Sequence, residues 1–127
     1  MKVVLKVNKK KIAGVYINRL KKDMLLQADP TLKFANKNYD AQRVTNADKE
    51  IDSPYNTYKY KGLPPGPICP VKTQAIDAVL DYSKHNFIFF CAKSDFSGYS
   101  DFSSSYEQHQ KFAAAYQKAL DKKGIKR

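Results

Sequence analysis

The chain has 127 residues, enough for one domain with its own hydrophobic core. Its 43% hydrophobic and 13% aromatic residues exclude a disordered chain. The net charge of +11 favours an anionic partner: a nucleic acid, an acidic membrane face or a polymer that carries carboxylates. Lysines scattered over solvated helix faces would give the same balance.

The cysteines and the apolar runs limit the class of protein further. Cys69 and Cys91 are too few for a metal site, so we expect no metal. Cys91 lies in an apolar run and is expected to be a buried thiol, while a disulfide between the two stays open. No segment reaches the ~18–20 apolar residues of a membrane span, and MKVVLKV is too short for a signal peptide.

The first predicted element is an amphipathic helix over about Lys10–Lys22. Its apolar residues recur at helical spacing: Ile12, Val15, Tyr16 and Leu20. Met24–Gln27 is predicted to be a brief strand or an extended connector. Asp29-Pro30-Thr31 has the form of a helix start, with Asp29 as N-cap and Pro30 at the first helical position, so a short helix is expected through about Ala35.

The middle of the chain predicts little regular structure. Asn36–Asp52 is a polar connection with one expected helical turn around Ala47–Ile51. Ser53–Pro67, SPYNTYKYKGLPPGP, holds four prolines, two glycines and three tyrosines, which exclude an ordinary helix or a central strand. We expect a rigid loop with a short edge strand at Tyr58–Lys61. Its aromatic faces and short polar groups suit a sugar, and the alternative is a surface Ω-loop packed on its own aromatics.

The next stretch predicts a helix followed by a β-hairpin. The helix covers about Val71–Tyr82 after Pro70, and its expected buried face is formed by Ala75, Ile76, Val79 and Leu80. Phe87–Ala92 is apolar on both faces and is predicted to be a central strand. A turn at Ser94–Gly98 and an antiparallel return at Tyr99–Ser103 follow.

The last predicted helix spans about Ser105–Lys123 and ends at Gly124. Its apolar stripe consists of Tyr106, His109, Ala113, Tyr116 and Leu120. His109 lies on that stripe, which favours a core histidine over a proton shuttle. Together the elements predict one α+β domain over residues 1–127, with about four helices and a small antiparallel hairpin around residues 86–103. The proline-rich loop is expected to line a cleft.

Three blocks occur in one order and cover most of residues 11–120. They are KIAGVYINRLKKDMLLQADPTLKFA at residues 11–35, SPYNTYKYKGLPPGPI at residues 53–68, and HNFIFFCAKSDFSGYSDFSSSYEQH at residues 85–109. They resemble the NRL/LQ-DPT block, the YNTY/GLPP block and the closing strand, glycine turn and helix of the MltG/YceG-like endolytic murein transglycosylases. Three unusual motifs in order are a specific signal.

This resemblance implies an enzyme that cuts peptidoglycan glycan strands between MurNAc and GlcNAc, leaving 1,6-anhydroMurNAc ends. In such enzymes one glutamate acts as acid and then as base, while the C6 hydroxyl of the muramic acid attacks, so a single carboxyl can suffice. The resemblance also implies a place at the periplasmic face of the bacterial inner membrane, with cell-wall synthesis machinery as possible partners. No cofactor, metal or nucleic acid is implied.

The chain departs from the family pattern where that glutamate is expected. The stretch at the start of the first predicted helix and before it reads MKVVLKVNKK and contains no acidic residue. The first glutamate of the chain is Glu50. We therefore expect a domain that is N-terminally truncated relative to the family and has weak or no activity alone. Asp29 is the retained family acid expected near the reaction. A second departure is Ser100-Asp101, after the Gly98 turn, where the family tends to show histidine.

The resemblance also supplies candidate substrate-binding residues. We expect Asn56 to contact the sugar or the reacting group, and Tyr55 and Tyr58 to be stacking faces or walls. The full set is Asn18, Gln27, Asp29, Thr31, Tyr55, Asn56, Thr57 and Tyr58. Two other hypotheses stay open: a non-catalytic peptidoglycan-binding remnant with the same cleft, and a basic nucleic-acid binder, for which no motif is present.

Overall fold

A computed structural model of the chain describes residues 2–38 and 44–124, with side chains from residue 8 onward. The elements are α1 (Lys2–Lys21), α2 (Asp29–Asn36), a 3₁₀ turn (Asp48–Glu50), α3 (Thr73–Leu80), β1 (Phe89–Ala92), β2 (Ser100–Ser103) and α4 (Tyr106–Lys122). The predicted α+β arrangement is confirmed. Within the described ranges, none of the helices is long and apolar enough to cross a membrane.

The chain forms two compact units. Of the described residues, the first unit contains 2–18 and 71–124, and the second contains 19–38 and 44–70. The first unit therefore holds most of α1 together with α3, the β-hairpin and α4. The second unit holds α2, the 3₁₀ turn and the proline-rich loop.

Helix α1 is longer than predicted, because it begins at Lys2 rather than near Lys10. Its first turns contain lysine, leucine and valine but no glycine or proline, so nothing interrupts the helix there. Val15 is fully buried, as the periodicity predicts, whereas the expected burial of Leu20 is wrong, since its side chain is exposed.

Gly14 allows the segment before β1 to approach α1 closely. The Ser83 N–H donates to the Lys10 carbonyl at 3.2 Å, and His85 Nε2 donates to the Lys11 carbonyl at 2.9 Å. A Cβ atom on Gly14 would lie 2.4 Å from the Ser83 carbonyl oxygen and 2.7 Å from His85 Nε2. This close packing explains a glycine in the middle of a helix, where glycine costs about 1 kcal/mol relative to alanine.

Strand β1 is not a central strand, because within the described residues it pairs only with β2. The pairing is antiparallel, with Phe89 opposite Ser103. Both faces of β1 are apolar because side chains from the helices pack on them. Tyr16 of α1 meets Phe90 edge-on at 5.6 Å, and His109 of α4 stacks on Phe89 at 4.9 Å between ring centres. Helices rather than further strands explain this apolar run.

Helix α3 is shorter than predicted, and the expected buried face is wrong. Pro70 precedes the helix, which begins at Thr73. Ile76, Val79 and Leu80 are 48%, 53% and 79% exposed, whereas Ala78 is buried. Since consecutive helical residues differ by about 100°, Ala78 lies on a different face from Ile76. The helix therefore packs through its small residue and leaves its larger apolar side chains exposed.

Helix α4 lies where it is predicted, but the expected place of Tyr106 on its buried stripe is wrong, since Tyr106 is 61% exposed. Ser105 is its N-cap, and the Ser105 side chain accepts a hydrogen bond from the Gln108 N–H at 3.2 Å. Leu120 is buried at its C-terminal end. Gly124 follows the helix with a φ of +76°, a conformation that glycine adopts without strain.

Helix α2 begins differently from the prediction, because Ala28, not Asp29, is the N-cap. Asp29 and Pro30 are the first two helical residues, and no side chain caps this end. The Asp29 carboxylate instead accepts a hydrogen bond from the Tyr58 hydroxyl. A negative charge in the first turn still favours the helix electrostatically.

The proline-rich stretch is a loop, as predicted, because residues 51–72 contain no helix or strand. The expected edge strand at Tyr58–Lys61 is wrong. The N–H groups of Lys59 and Tyr60 both donate to the Asn56 carbonyl, at 3.1 and 3.0 Å, so they are used inside a turn rather than in a sheet. The turn expected around Ala47–Ile51 is the 3₁₀ turn, and residues 39–43 of the predicted connection lie outside the described residues. That the loop lines a cleft stays a prediction.

Both cysteines are free thiols in this structure. Cys69 is exposed, and Cys91 is half-buried on β1. Burial, with a further contribution from the Asp101 carboxylate, raises the pKa of the Cys91 thiol to about 11. At neutral pH the thiol is therefore protonated and acts as a small apolar side chain.

The close approach at Gly14 gives a test whose sign is informative. If helix propensity alone mattered, Gly14→Ala would stabilise the protein by about 1 kcal/mol. We expect it to destabilise the protein by about 1–3 kcal/mol, because the added methyl group meets backbone atoms of the packed segment. Denaturant unfolding measures this difference. Gly66→Ala is the control, since its Cβ would meet only the Tyr55 hydroxyl at 3.3 Å; a stabilised Gly14→Ala protein would contradict the packing described.

Candidate functional site

The side chain of Asn56 lies at the centre of the second unit and is fully buried. Its Nδ2 donates to the carbonyls of Lys49 and Ile51, at 2.9 and 2.8 Å. Its Oδ1 accepts the Tyr58 N–H at 3.0 Å. An amide can donate two hydrogen bonds and accept two, so most of its capacity is used inside the protein. Asn56 therefore shapes the loop, and its contact with a sugar stays a prediction.

Thr57 joins the loop to the segment that precedes α2. Its carbonyl accepts the Gln27 N–H at 3.1 Å, and its Oγ1 accepts the Ala28 N–H at 2.9 Å. The hydroxyl oxygens of Thr57 and Thr31 are 2.8 Å apart, and both side chains are buried. The LQ-DPT and YNTY motifs, 29 residues apart at the Ala28–Thr57 contact, thus form one structure. Thr31 and Thr57 hold it together from inside rather than facing solvent.

Four side chains lie at or near the surface of this structure, and we call them the polar cluster: Gln27, Asp29, Lys49 and Tyr58. The Tyr58 hydroxyl donates to Asp29 Oδ1 at 2.5 Å. The Lys49 ammonium lies 5.0 Å from the centre of the Tyr58 ring, within the range of a cation–π contact. Asp29 is exposed, whereas Tyr58 and Lys49 are half-buried. The cluster therefore presents a carboxylate, a phenol and an ammonium group together.

Gln27 has an unusual backbone for a residue with a side chain, because its φ is +50°. Hydrogen bonds from Gln27 and Ala28 to Thr57 hold this conformation on both sides. The Gln27 side chain is exposed. The structure thus fixes an amide side chain at the surface, beside the start of α2, at the cost of local strain.

The other two tyrosines of the loop differ from Tyr58. The Tyr55 ring packs on Phe34, with 4.8 Å between ring centres, so it is a wall rather than an open stacking face. Tyr60 is 44% exposed, and its hydroxyl donates to Asp52 at 2.6 Å. This hydrogen bond raises the pKa of Tyr60 and lowers the pKa of Asp52. The nearby Lys59 ammonium lowers the pKa of Asp52 further. The Tyr60–Asp52 pair repeats the Tyr58–Asp29 contact elsewhere on the loop.

Asn18 belongs to the first unit, where its side chain forms hydrogen bonds with the backbone. Its Nδ2 donates to the carbonyls of His85 and Phe87, at 2.8 and 2.9 Å, which fastens α1 to the segment that leads into β1. The next residue, Arg19, is buried in the second unit, where Nη1 donates to the Leu26 carbonyl at 2.6 Å. The two polar residues of the NRL motif therefore bind backbone carbonyls of this chain.

The polar cluster has the chemistry of a hydrogen-bonding surface rather than of a metal centre. In the part of the chain that the structure describes, no three His, Cys, Asp or Glu side chains lie close enough together to hold a metal ion. A carboxylate and an amide can bind sugar hydroxyl and acetamido groups, and a tyrosine ring offers an apolar edge. Sequence reasoning missed Lys49, because nothing in the sequence distinguishes it from the other lysines.

The buried amide gives a clear stability prediction. We expect Asn56→Ala to lower the free energy of unfolding by at least about 2 kcal/mol, because each buried backbone group left without a partner costs about 1–3 kcal/mol. Asn46→Ala is the matched control, since Asn46 is exposed on the same segment and should change stability by less than about 0.5 kcal/mol. Urea unfolding of both variants measures the difference, and equal stability would show that the Asn56 hydrogen bonds are not needed.

The chain is similar to a known protein family and to several of its members. The YceG-like family model matches residues 3–115. The endolytic murein transglycosylase of Bacillus subtilis (strain 168) is 43% identical over 111 residues, which are 87% of this chain and 30% of that protein. The endolytic murein transglycosylase of Streptococcus pneumoniae (strain D39) is 37% identical over 89 residues, 67% of this chain and 16% of that protein.

A solved structure agrees with these relatives. The 2.6 Å crystal structure of a YceG-like protein from Listeria monocytogenes is similar, with a TM-score of 0.76 and 43% sequence identity. The match covers 83% of this chain and 34% of that chain. This chain thus spans about a third or less of the length of these proteins. Since the family match covers most of its residues, the chain belongs to the YceG-like family.

Proposed function

We propose that this chain forms the glycan-binding part of an endolytic murein transglycosylase, and that the polar cluster contacts the glycan strand. The observation that carries the proposal is the joining of two family motifs around one exposed set of polar groups. Family membership supports the substrate class, because the curated relatives are named endolytic murein transglycosylases. We place its action outside the bacterial cytoplasmic membrane, where glycan strands and the machinery that builds them are found.

Within this proposal, the buried and exposed residues have different tasks. Asn56 and Thr57 hold the loop, and the surface groups of Asp29, Gln27 and Tyr58 meet hydroxyl and acetamido groups of the strand. Because the Asp29 carboxylate and the Tyr58 hydroxyl are already hydrogen-bonded to each other, they are preorganised, and little entropy is lost when the glycan binds.

The reaction of the whole enzyme cuts between MurNAc and GlcNAc and leaves a 1,6-anhydroMurNAc end. It needs an acid to protonate the leaving oxygen, while the C6 hydroxyl of the substrate serves as nucleophile. Residues 1–22 contain no acidic side chain, so this chain supplies no glutamate before its first matching block. We therefore propose that this chain binds strands and does not cut them by itself.

The test is binding of purified glycan strands, measured by sedimentation with strands and by mass spectrometry of the products. We expect the chain to bind and to produce no 1,6-anhydro ends. Tyr58→Phe and Asp29→Asn should weaken binding about three- to tenfold, because each removes a polar contact worth about 1 kcal/mol. Both positions are solvent-accessible, so the variants should keep their fold.

Tyr60→Phe is the matched control, since it removes the same hydroxyl–carboxylate hydrogen bond from the same loop outside the polar cluster. Its affinity should be unchanged. If Tyr58→Phe and Tyr60→Phe bind equally well, the polar cluster is not the contact. If 1,6-anhydro ends form, the chain is active without the family glutamate, and their loss in Asp29→Asn would identify the substitute acid. If cleavage stays absent even when a family-like glutamate segment is fused before Lys10, the non-catalytic binding protein is the better description.

A further inference from the structure

We infer that Lys49 is a carboxylate-binding subsite, which makes the polar cluster prefer glycan strands that carry anionic groups. The inference rests on the proposed function, because it assigns a specificity to the same surface. It concerns a residue outside the motifs of this chain that resemble the family, seven positions before the YNTY segment's Asn56.

The backbone of Lys49 is fixed at both of its polar groups. Its N–H donates to the carbonyls of Thr45 and Asn46, at 3.3 and 3.2 Å. Its carbonyl accepts one of the two hydrogen bonds from the buried Asn56 amide, at 2.9 Å. The same amide also holds the Tyr58 N–H, so one buried side chain sets the positions of Lys49 and Tyr58 together. The ammonium group is therefore presented from a rigid base.

The side chain of Lys49 is also held in position, by the ring of Tyr58. The Lys49 ammonium lies 5.0 Å from the centre of the Tyr58 ring, whose hydroxyl donates to Asp29. A cation held over an aromatic ring has lost part of its freedom before any ligand arrives, which lowers the entropic cost of binding. A ligand that reaches Asp29 and the edge of Tyr58 thus meets this cation on the adjoining ring face.

The charge of Lys49 differs from that of the two lysines on the neighbouring loop. Lys59 forms an ion pair with Asp52 at 3.6 Å, and Lys61 forms one with Asp23 at 3.2 Å. For Lys49, no carboxylate partner is present in residues 2–38 and 44–124. The Lys49 ammonium instead lies over the Tyr58 ring, so within the described residues it can bind an anionic group of a ligand without first breaking an ion pair.

The glycan offers such a group in two chemical forms. Muramic acid carries a lactyl ether, which ends in a free carboxylate when the strand bears no peptide. In strands that carry stem peptides, the lactyl carboxyl is an amide, and the carboxylates belong to the peptide instead. A chitin oligomer has the same sugar backbone and acetamido groups with no carboxylate. Binding of a carboxylate by an ammonium is charge-assisted and stronger than a neutral hydrogen bond.

The experiment compares three ligands at equal strand length: peptide-free glycan, peptide-bearing glycan and chitin oligomers. We expect peptide-free glycan to bind the unaltered chain about tenfold more tightly than chitin at low salt, with the difference shrinking as salt screens the charge. Lys49→Gln should abolish the preference for peptide-free glycan over chitin. Lys61→Gln is the matched control for net charge and should keep the difference.

Each outcome decides a separate question. If only peptide-free glycan shows an advantage over chitin that Lys49→Gln removes, the carboxylate is the lactyl group; if only peptide-bearing glycan shows it, the carboxylate belongs to the peptide. If both show it, Lys49 binds either carboxylate. If Lys49→Gln and Lys61→Gln reduce binding equally, the effect is one of total charge, and the subsite is wrong. If all glycans and chitin bind equally well, the inference fails while the proposed function stands. If none of the three ligands binds, the proposed function itself fails.

Discussion

The structure of the second unit depends on one buried primary amide. The Asn56 side chain bonds to the backbone of Lys49 and Ile51 on one side and to the backbone of Tyr58 on the other. A loop with four prolines cannot satisfy its backbone groups through a sheet or a helix, so a side chain must provide the missing partners. The low polarity around a fully buried amide makes these hydrogen bonds expensive to lose. The backbone positions of Lys49 and Tyr58 follow from this constraint.

This arrangement divides the residues of the motifs into two groups with different physical tasks. Asn56, Thr57 and Thr31 are buried. Asn56 joins neighbouring parts of the loop, and the two threonines connect segments 26 residues apart. Asp29 and Gln27 are exposed beside these connections and receive their positions from them. Binding groups on a loop are only as precise as the shell that supports them, and here that shell includes buried polar hydrogen bonds as well as apolar packing.

Much of the fold could be predicted from local patterns. The aromatic run before Gly98 predicted the hairpin, and Ser105 predicted the start of α4, because both signals act over a few residues. The prediction of a central strand was wrong, since an apolar run does not reveal whether helices or strands cover it. The predicted buried face of α3 was also wrong, because tertiary packing buries Ala78 and leaves its larger apolar neighbours exposed. The burial of Asn56 could not be predicted, because sequence cannot distinguish a buried amide from an exposed one. The contact of Lys49 with Tyr58 depends on tertiary structure, so nothing in the sequence indicates that Lys49 belongs to the polar cluster.

The most direct test is a titration of the chain with peptide-free glycan strands, followed by amide proton–nitrogen correlation spectra. We expect the largest signal changes at Gln27, Asp29, Lys49 and Tyr58. We also expect the side-chain amide protons of Asn56 to exchange slowly with water, both with and without the glycan, because they stay bound to two backbone carbonyls. Signal changes confined to the first unit would contradict glycan contact at the polar cluster, and rapidly exchanging Asn56 amide protons would contradict the supporting role of Asn56.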